Sequence, residues 1–473
     1  MTSLDGMPIL TAAQVRAAEA AVIAGGSSVD ALMAQAGAGI AEWVARLAGP
    51  RDILVLCGPG NNGGDGYAAA SQLKRAGLKV RVAASGEPQS SAAMRARAQW
   101  DGAVDDLAHA APASVVVDAL LGTGLSRPLS PAIATVLDRL VDHAEIAIAV
   151  DLPSGVATDT GQIPGGGHRS PYNLTVALGA VKPAHLLQPS AALCGAVRVI
   201  DLKLLGDTQP ALQRDQILAA PRFRRLTADT HKYSRGMVVV ISGEMPGAAA
   251  LAAEAALHAG AGYVLALGHP MRLSHAIVQH PWSDTALADA LKGKGNVALV
   301  IGPGLGRTDE AARKLDSAIG SGRPLVIDGD ALHLLDDRRF TALRDRAALV
   351  VLTPHAGEFE AMFGPWSGSK IEAARAASID TGVTIVFKGA DTVIARPDGT
   401  TSTVLPGSPW LSTAGTGDVL AGAIAAAMVT STTDPADAGV WLHAMAARRL
   451  NGAFTADLLA SSLSEARSGA LHG

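Results

Sequence analysis

The run Asp52-Ile53-Leu54-Val55-Leu56-Cys57-Gly58-Pro59-Gly60-Asn61-Asn62-Gly63-Gly64-Asp65-Gly66 decides the fold of the first half of the chain. Ile53 to Cys57 is a short unbroken apolar stretch, which is how a strand buried on both faces of a parallel sheet reads. Five glycines and two asparagines crowd the nine residues after it, more than any one turn type demands. A helix to about Ala76 is expected to follow. Strand, glycine-rich turn and helix in that order bring a ligand's phosphates onto backbone amides at the carboxyl edge of a sheet. The spacing is neither G-x-G-x-x-G nor a P-loop, so the generic nucleotide fingerprints do not apply. A purely structural turn is the competing reading.

Upstream, residues 11–47 carry apolar positions at helical spacing, interrupted by Gly25-Gly26-Ser27-Ser28, which predicts two helices. Downstream, two more strand ends match the first. Ser114 to Asp118 runs into Leu121-Gly122-Thr123-Gly124-Leu125-Ser126-Arg127-Pro128, and Ile146 to Asp151 runs into Leu152-Pro153-Ser154-Gly155. Each sets an aspartate at a carboxyl edge, where ligands gather in open α/β sheets. Asn62, Asp118 and Ser154 would offer hard oxygen ligands, suited to a hard cation and not to zinc.

Periodicity fades between 205 and 230, and the boundary of a second α/β domain is expected there. Met237 to Ile241 reads as a strand and 247–259 as a helix ending at Gly260. Strands are also predicted at 263–267, 297–301, 324–327, 348–352 and 383–387. The turns after them, Gly302-Pro303-Gly304-Leu305-Gly306, Asp328-Gly329-Asp330, Thr353-Pro354-His355 and Lys388-Gly389-Ala390-Asp391-Thr392, should share one sheet edge with Ser412-Thr413-Ala414-Gly415-Thr416-Gly417-Asp418. Glycines 415 and 417 let successive N–H groups point into one concavity at a helix N-terminus, a place that holds phosphate. A phosphate would repel Asp418 unless Asp418 takes a proton from a hydroxyl meeting it or shares a cation with it. The plainer reading makes Asp418 an N-cap. His355 reads as a loop residue at a site or as a core histidine. Lys388 reads as a phosphate-binding point charge or as a solvated loop cap.

At 473 residues, and with roughly 150 residues per domain as a guide, two large domains fit best. Hydrophobic content of 48% with 3% aromatics and 52 glycines indicates close-packed helices and sheets with tight turns. A net charge of −4 with no basic run argues against nucleic-acid or membrane-surface partners. The apolar runs fall short of the ~18 residues a membrane span needs. Cys57 and Cys194 make no disulfide framework and the first residues lack the features of a signal peptide, so a cytoplasmic protein acting on small molecules is expected.

The motifs Asn61-Asn62-Gly63-Gly64-Asp65-Gly66, the 118–128 stretch and Val150-Asp151-Leu152-Pro153-Ser154-Gly155 together resemble the N-terminal domain of the NAD(P)H-hydrate epimerases over residues 1–215. That resemblance implies a Rossmann-like three-layer fold. It further implies a hydrated dinucleotide held by Asn61, Asn62, Gly63, Gly64 and Asp65 and by the 122–128 loop, and a potassium ion on Asn62, Asp118 and Ser154. Asp151 then faces the damaged nicotinamide ring as acid or base. Lys182 is either a second polar group at the ring or a solvated lysine at a strand end, and Val181 stands where proline would be expected.

The motifs KYSRG, IGPGLG, DGDAL, LTPHAGEF, KGADTV and AGTGDVLAG in turn look like the ADP/ATP-dependent NAD(P)H-hydrate dehydratases of the ribokinase-like superfamily over 225–473. This implies that Lys388, Gly389, Ala390, Asp391, Thr392 and Gly417 hold ADP or ATP with Mg2+, with Gly304 and His355 at the same site. Asp418 would address the hydroxyl of the hydrate. The two resemblances imply one enzyme that interconverts the R and S hydrates of NADH and NADPH at C6 and dehydrates the S form; a homo-oligomer is compatible with both. Two alternatives keep the fold: a first half that only binds a ligand or partner beside an active dehydratase, or a ribokinase-like small-molecule kinase whose phosphorylated product accumulates.

Overall fold

Apolar runs of about five residues separated by helices can bury both faces of each strand only within parallel sheets covered on both sides. The chain builds two such sheets. The computed structural model describes residues 4–125, 128–168, 170–204 and 214–470. They divide into two compact units, 1–215 and 216–473.

The first unit opens with helices α1 (Ala12–Ala24) and α2 (Val29–Ala48). Thr11 and Gln14 start α1 with reciprocal side-chain-to-backbone bonds, and Ser28 caps α2 through the Ala31 N–H. The break expected at 25–28 lies between them. Its strands are β1 (Ile53–Cys57), β2 (Val80–Ala84), β3 (Val104–Asp106), β4 (Val115–Ala119), β5 (Ile146–Val150), β6 (Leu174–Leu178) and β7 (Ala196–Ile200). Their order is β3-β2-β1-β4-β5-β6-β7, every pair parallel. Chain direction across the sheet reverses between β1 and β4, and a crevice opens at such a switch point outside the strand carboxyl ends.

The glycine-rich run departs from the expected turn. Helix α3 (Asn61–Arg75) starts inside it, with Gly60 as N-cap. A Cβ at Gly63 would lie 1.8 Å from the Gly58 carbonyl oxygen, and one at Gly66 would lie 2.7 Å from the Ala119 Cβ. These glycines let the first turns of α3 sit hard against β1 and β4; they do not bend the chain. Helices α4 (Ser91–Ala98) and α5 (Pro131–His143) complete the layers.

In the second unit the strands are β8 (Asp215–Ile217), β9 (Met237–Ile241), β10 (Tyr263–Leu267), β11 (Val278–His280), β12 (Val297–Ile301), β13 (Leu325–Ile327), β14 (Val350–Leu352), β15 (Thr384–Phe387), β16 (Val393–Ala395) and β17 (Thr401–Thr403). The order is β11-β10-β9-β12-β13-β14-β15-β16-β17-β8. From β11 to β15 the pairs are parallel and repeat the strand order of the first unit; β15-β16-β17 are antiparallel. Because β8 forms the sheet edge and Phe223 is buried in the second core, residues 216–224 belong to this unit, ahead of the 225 read from the sequence.

Its helices are α6 (Pro246–His258), α7 (Asp284–Leu291), α8 (Asp309–Gly320), α9 (Asp337–Arg344), α10 (Ala356–Phe363), α11 (Lys370–Thr381), α12 (Thr416–Thr430), α13 (Pro435–Leu450) and α14 (Ala456–Ala470). The alanine excess finds its use here. A Cβ at Gly422 of α12 would meet the Ala252 carbonyl of α6 at 2.1 Å, and one at Gly439 of α13 would meet Ile424 at 2.5 Å. Helix backbones this close leave room only for alanine and glycine. No single helix among the described residues is long and apolar enough to cross a membrane.

Candidate active sites

At the switch point of the first sheet lies a cavity of about 390 Å³ lined by Asn61, Asn62 and Asp65 from α3, Gly122, Thr123 and Gly124 after β4, Asp151 after β5, Lys182 after β6, and Arg16 and Glu19 from α1. Gly60 leaves α3 without a side-chain cap, so first-turn N–H groups and the positive end of the helix border the cavity. Asp151 is the group the surroundings constrain most. It sits at φ 65°, one of three non-glycine residues with positive φ among those described. Its N–H donates to the Val176 carbonyl (2.8 Å). Its carbonyl accepts from His185 Nε2 (2.7 Å).

Lys182 N–H donates to His185 Nδ1, so the ring proton is on Nε2; burial pushes the His185 pKa down to about 4 and keeps the ring neutral. A strained conformation held from three sides at a cavity marks a site that geometry has been spent on. Asp151 Oδ1 accepts from the Leu178 N–H (3.1 Å) and from Lys182 Nζ (2.5 Å). Oδ2 is left facing the cavity, 3.0 Å from where a Cβ on Gly122 would sit, beside Asn62 Oδ1 at 3.1 Å from the same point. Lys182 is 0% exposed, which removes the solvated-lysine reading. Burial, with the Asp151 and Glu19 charges, raises the Asp65 pKa well above the carboxylate range; burial likewise raises that of Glu19.

Asp118 is fully buried beneath the β4 edge. Its Oδ1 accepts from Ser154 Oγ (2.7 Å) and the Leu120 N–H (3.1 Å), and its Oδ2 from Tyr172 Oη (2.5 Å) and the Ser154 N–H (3.0 Å). All four donors are neutral. The Ser154 hydroxyl has one hydrogen for two acceptors, Asp118 Oδ1 and the Leu121 carbonyl at 3.3 Å. The Asp118 carboxyl, the Ser154 hydroxyl and the Leu121 carbonyl bring hard oxygens together at this edge, a donor set that fits a hard cation.

The second site gathers at the carboxyl edge of the second sheet. Lys388, after β15, places Nζ 2.7 Å from Asp328 Oδ1 (after β13) and 3.7 Å from Glu358 Oε2 (α10). The same ammonium lies 3.3 Å from where a Cβ on Gly417 would sit, at the start of α12. Burial opposes the Lys388 charge, but Asp328, Glu358 and Asp418 outweigh it and raise its pKa. Gly415, at φ 89°, is the N-cap of α12, so Asp418 is the third helical residue and not the cap. Burial first, then the charges of Asp328 and Glu358 against the opposing Lys388, push the Asp418 pKa up to about 7. His443 Nε2 fixes the same turn through the Thr416 carbonyl (2.9 Å).

Residues 238–468 match the family described as NAD(P)H-hydrate dehydratase, and residues 29–184 the family described as YjeF-related protein N-terminus. A bifunctional NAD(P)H-hydrate repair enzyme of Thermofilum pendens is 34% identical over 89% of this chain and 87% of its own length. The chain belongs to the bifunctional NAD(P)H-hydrate repair enzymes. The Escherichia coli member is 33% identical over 93% of this chain and 88% of its own. An ADP/ATP-dependent NAD(P)H-hydrate dehydratase of Bacillus subtilis, crystallised with ATP/Mg2+, is 27% identical over 53% of this chain and 95% of its own, with a TM-score of 0.46. Each half carries an α/β fold of its own, built on a parallel sheet in the first unit and a mostly parallel one in the second.

Within this repair-enzyme frame the structure sorts the residues singled out from sequence. Asn61, Asn62, Asp65, Gly122, Thr123, Gly124, Asp151 and Lys182 share one cavity. Gly63 and Gly64 pack inward, against Gly58 and Met33. Leu125 is half-buried outside the cavity lining and Pro128 lies near Gly165; Ser126 and Arg127 lie outside the described residues. In the second unit Lys388, Gly417 and Asp418 converge, whereas Asp391 is turned to Lys370 Nζ (2.6 Å) and Thr392 closes the 389–392 turn on Gly389.

Gly304, at φ 59°, packs against the Met245 carbonyl. His355 is the N-cap of α10, its Nδ1 accepting from the Glu358 N–H, with its ring 61% exposed; it is neither a core histidine nor bonded to Lys388 or Asp418. Asp328, Glu358, Glu19, His185 and Tyr172 were not expected at the sites. Asp328 had a visible signal, an aspartate ending a strand like Asp118, while the others arrive by long-range packing that local pattern does not encode.

Proposed function

We propose that the chain repairs hydrated NADH and NADPH in two steps, an epimerase in residues 1–215 feeding an ADP- or ATP-dependent dehydratase in 216–473. The observation that supports this most is the pairing of an uncapped helix start, a buried lysine and an aspartate whose pKa lies near 7. Hydroxide is a poor leaving group, and the nucleotide supplies the phosphoryl group that converts the C6 hydroxyl into phosphate. Asp418 takes the hydroxyl proton, being poised to do so near neutral pH. Lys388 and the Gly417 and Asp418 amides face the phosphoryl oxygens. The ring nitrogen's lone pair then expels phosphate, and loss of a proton from C5 restores the C5–C6 double bond. Among the described residues no three His, Cys, Asp or Glu side chains are arranged as a metal cage, so Mg2+ would arrive on the nucleotide's phosphates.

In the first half, Asp151 Oδ2 is the proton-transfer group at C6, and Lys182 is the positioning residue that holds Oδ1. Asp65, whose pKa burial raises, faces the substrate from the start of α3. The α3 N-terminus and the 122–124 loop hold the pyrophosphate. Potassium fits the Asp118, Ser154 and Leu121 oxygens together with Asn62 Oδ1 and would hold the loops after β1, β4 and β5 in register. A cytoplasmic location accords with these small-molecule substrates.

Incubating the protein with chemically hydrated NADH, Mg2+ and ADP or ATP tests the reading. Reduced-nicotinamide absorbance should return, with phosphate released in proportion. Accumulation of a stable phosphorylated product would instead mark a small-molecule kinase.

A further inference from the structure

The cavities of the second unit include one remote from Asp418. Helix α12 carries Asp418 in its first turn and ends at Thr430, about 20 Å away at 1.5 Å per residue. There Thr430 helps line a cavity of about 230 Å³ whose walls carry Arg224, Arg225, Arg235 and Arg467 and a single acid, Asp229. Two of the guanidiniums are fixed in place. Arg467 lies with its Cζ 4.1 Å over the Phe223 ring, and its Nη1 donates to the Ala259 carbonyl (2.7 Å) and Thr430 Oγ1 (3.0 Å). Arg235 Nη2 donates to the Gly260 carbonyl (3.0 Å). Gly260, at φ 102°, leaves its Cβ side to the Arg467 guanidinium, whose Nε would lie 2.6 Å from a Cβ there.

Two half-buried cations thus hold the carbonyls of consecutive residues, Ala259 and Gly260, and no carboxylate pairs with any of the four arginines among the described residues. Burial and the neighbouring Arg235 charge lower the Arg467 pKa to about 10, the mark of a cation lacking a counter-charge. The bland explanation is that these arginines cap the C-termini of α6 and α12, but each terminus carries only about half a negative charge. With Asp229 that offsets about two of four positive charges, and about two remain.

We propose that this cavity is a second, non-catalytic anion site that takes a phosphate monoester dianion on a small molecule. The residual charge matches the dianion. Planar guanidiniums present paired donors to phosphate oxygens, and Thr230 and Ser234 line the same walls, the Ser234 hydroxyl donating to the His231 carbonyl (2.8 Å). A volume of about 230 Å³ admits a phosphate with a small organic group and excludes a dinucleotide.

The test is calorimetric titration of inorganic phosphate into the full-length protein with ADP present to fill the nucleotide site. Arg224 and Arg225 are exposed rim residues, so Arg224→Gln/Arg225→Gln should fold normally. It should bind phosphate at least about tenfold more weakly than wild type, with ADP affinity and the initial rate of dehydration without added phosphate unchanged, since a charge-assisted contact is worth about that factor. Arg467→Lys, which keeps the charge and loses the fork, should weaken phosphate several-fold. Undiminished phosphate affinity in the double variant overturns the proposal. So does an equal heat from chloride at matched ionic strength.

Discussion

The roles of single residues here follow from which atoms are already occupied. Asp151 Oδ1 is taken by Lys182 and Leu178, so only Oδ2 can meet a ligand, and the left-handed backbone aims it. Asp418 is crowded by Asp328 and Glu358, and its raised pKa carries a stability consequence. The unfolded chain releases this proton near pH 4 and the folded chain near 7. Stability is therefore lost as pH rises through that window and is level above it. Asp418→Asn, which has no charge to suppress, should be more stable than wild type by on the order of 1–3 kcal/mol more at pH 8 than at pH 5, discounting for partial exposure. Urea unfolding at the two pH values measures it, and an unchanged difference would remove the burial of Asp418 as the cause of its shift. The same substitution should lower dehydration by on the order of 10² to 10⁴ while sparing ADP binding, and wild-type kcat/KM should rise as pH passes about 7.

Elements were more legible than their ends, and the partners of a site less legible than its motifs. Met237–Ile241, Tyr263–Leu267 and Val297–Ile301 fall where continuous apolar runs place them, because strands buried on both faces leave no ambiguity of period. The 58–66 run reads as a turn, yet glycine serves there for close approach, which sequence cannot distinguish from bending. Gly63→Ala should accordingly cost on the order of 1–3 kcal/mol in the first unit, since its Cβ would meet the Gly58 backbone oxygen at 1.8 Å, with no flexible side chain to yield. Gly60→Ala, with nothing within 4 Å of its Cβ, should change the urea midpoint little. Equal effects from the two would contradict the packing role. Glu358 and Asp328 escaped notice as Lys388 partners because three separate strand ends bring them together. Sequence alone leaves two readings of Lys182 because burial of an ammonium depends on a carboxylate 31 residues away.

For the whole molecule, two sheets of the same parallel strand order carry two different chemistries on their carboxyl edges, and each unit has its own core. A fragment beginning at Arg214 keeps β8 on the second sheet and should fold and dehydrate one epimer of the hydrate only. One beginning at Pro221 loses that edge strand and should melt earlier. If the longer fragment consumes both epimers, the first half is not needed for epimerisation. The most direct measurement is the extent of repair of a mixed R and S hydrate under limiting nucleotide-dependent activity. Wild type should restore the whole pool in one phase. Asp151→Asn should restore the S fraction at the wild-type rate and leave the remainder to slow spontaneous epimerisation. Complete one-phase repair by Asp151→Asn, or a wild type that stalls part-way, would contradict the account.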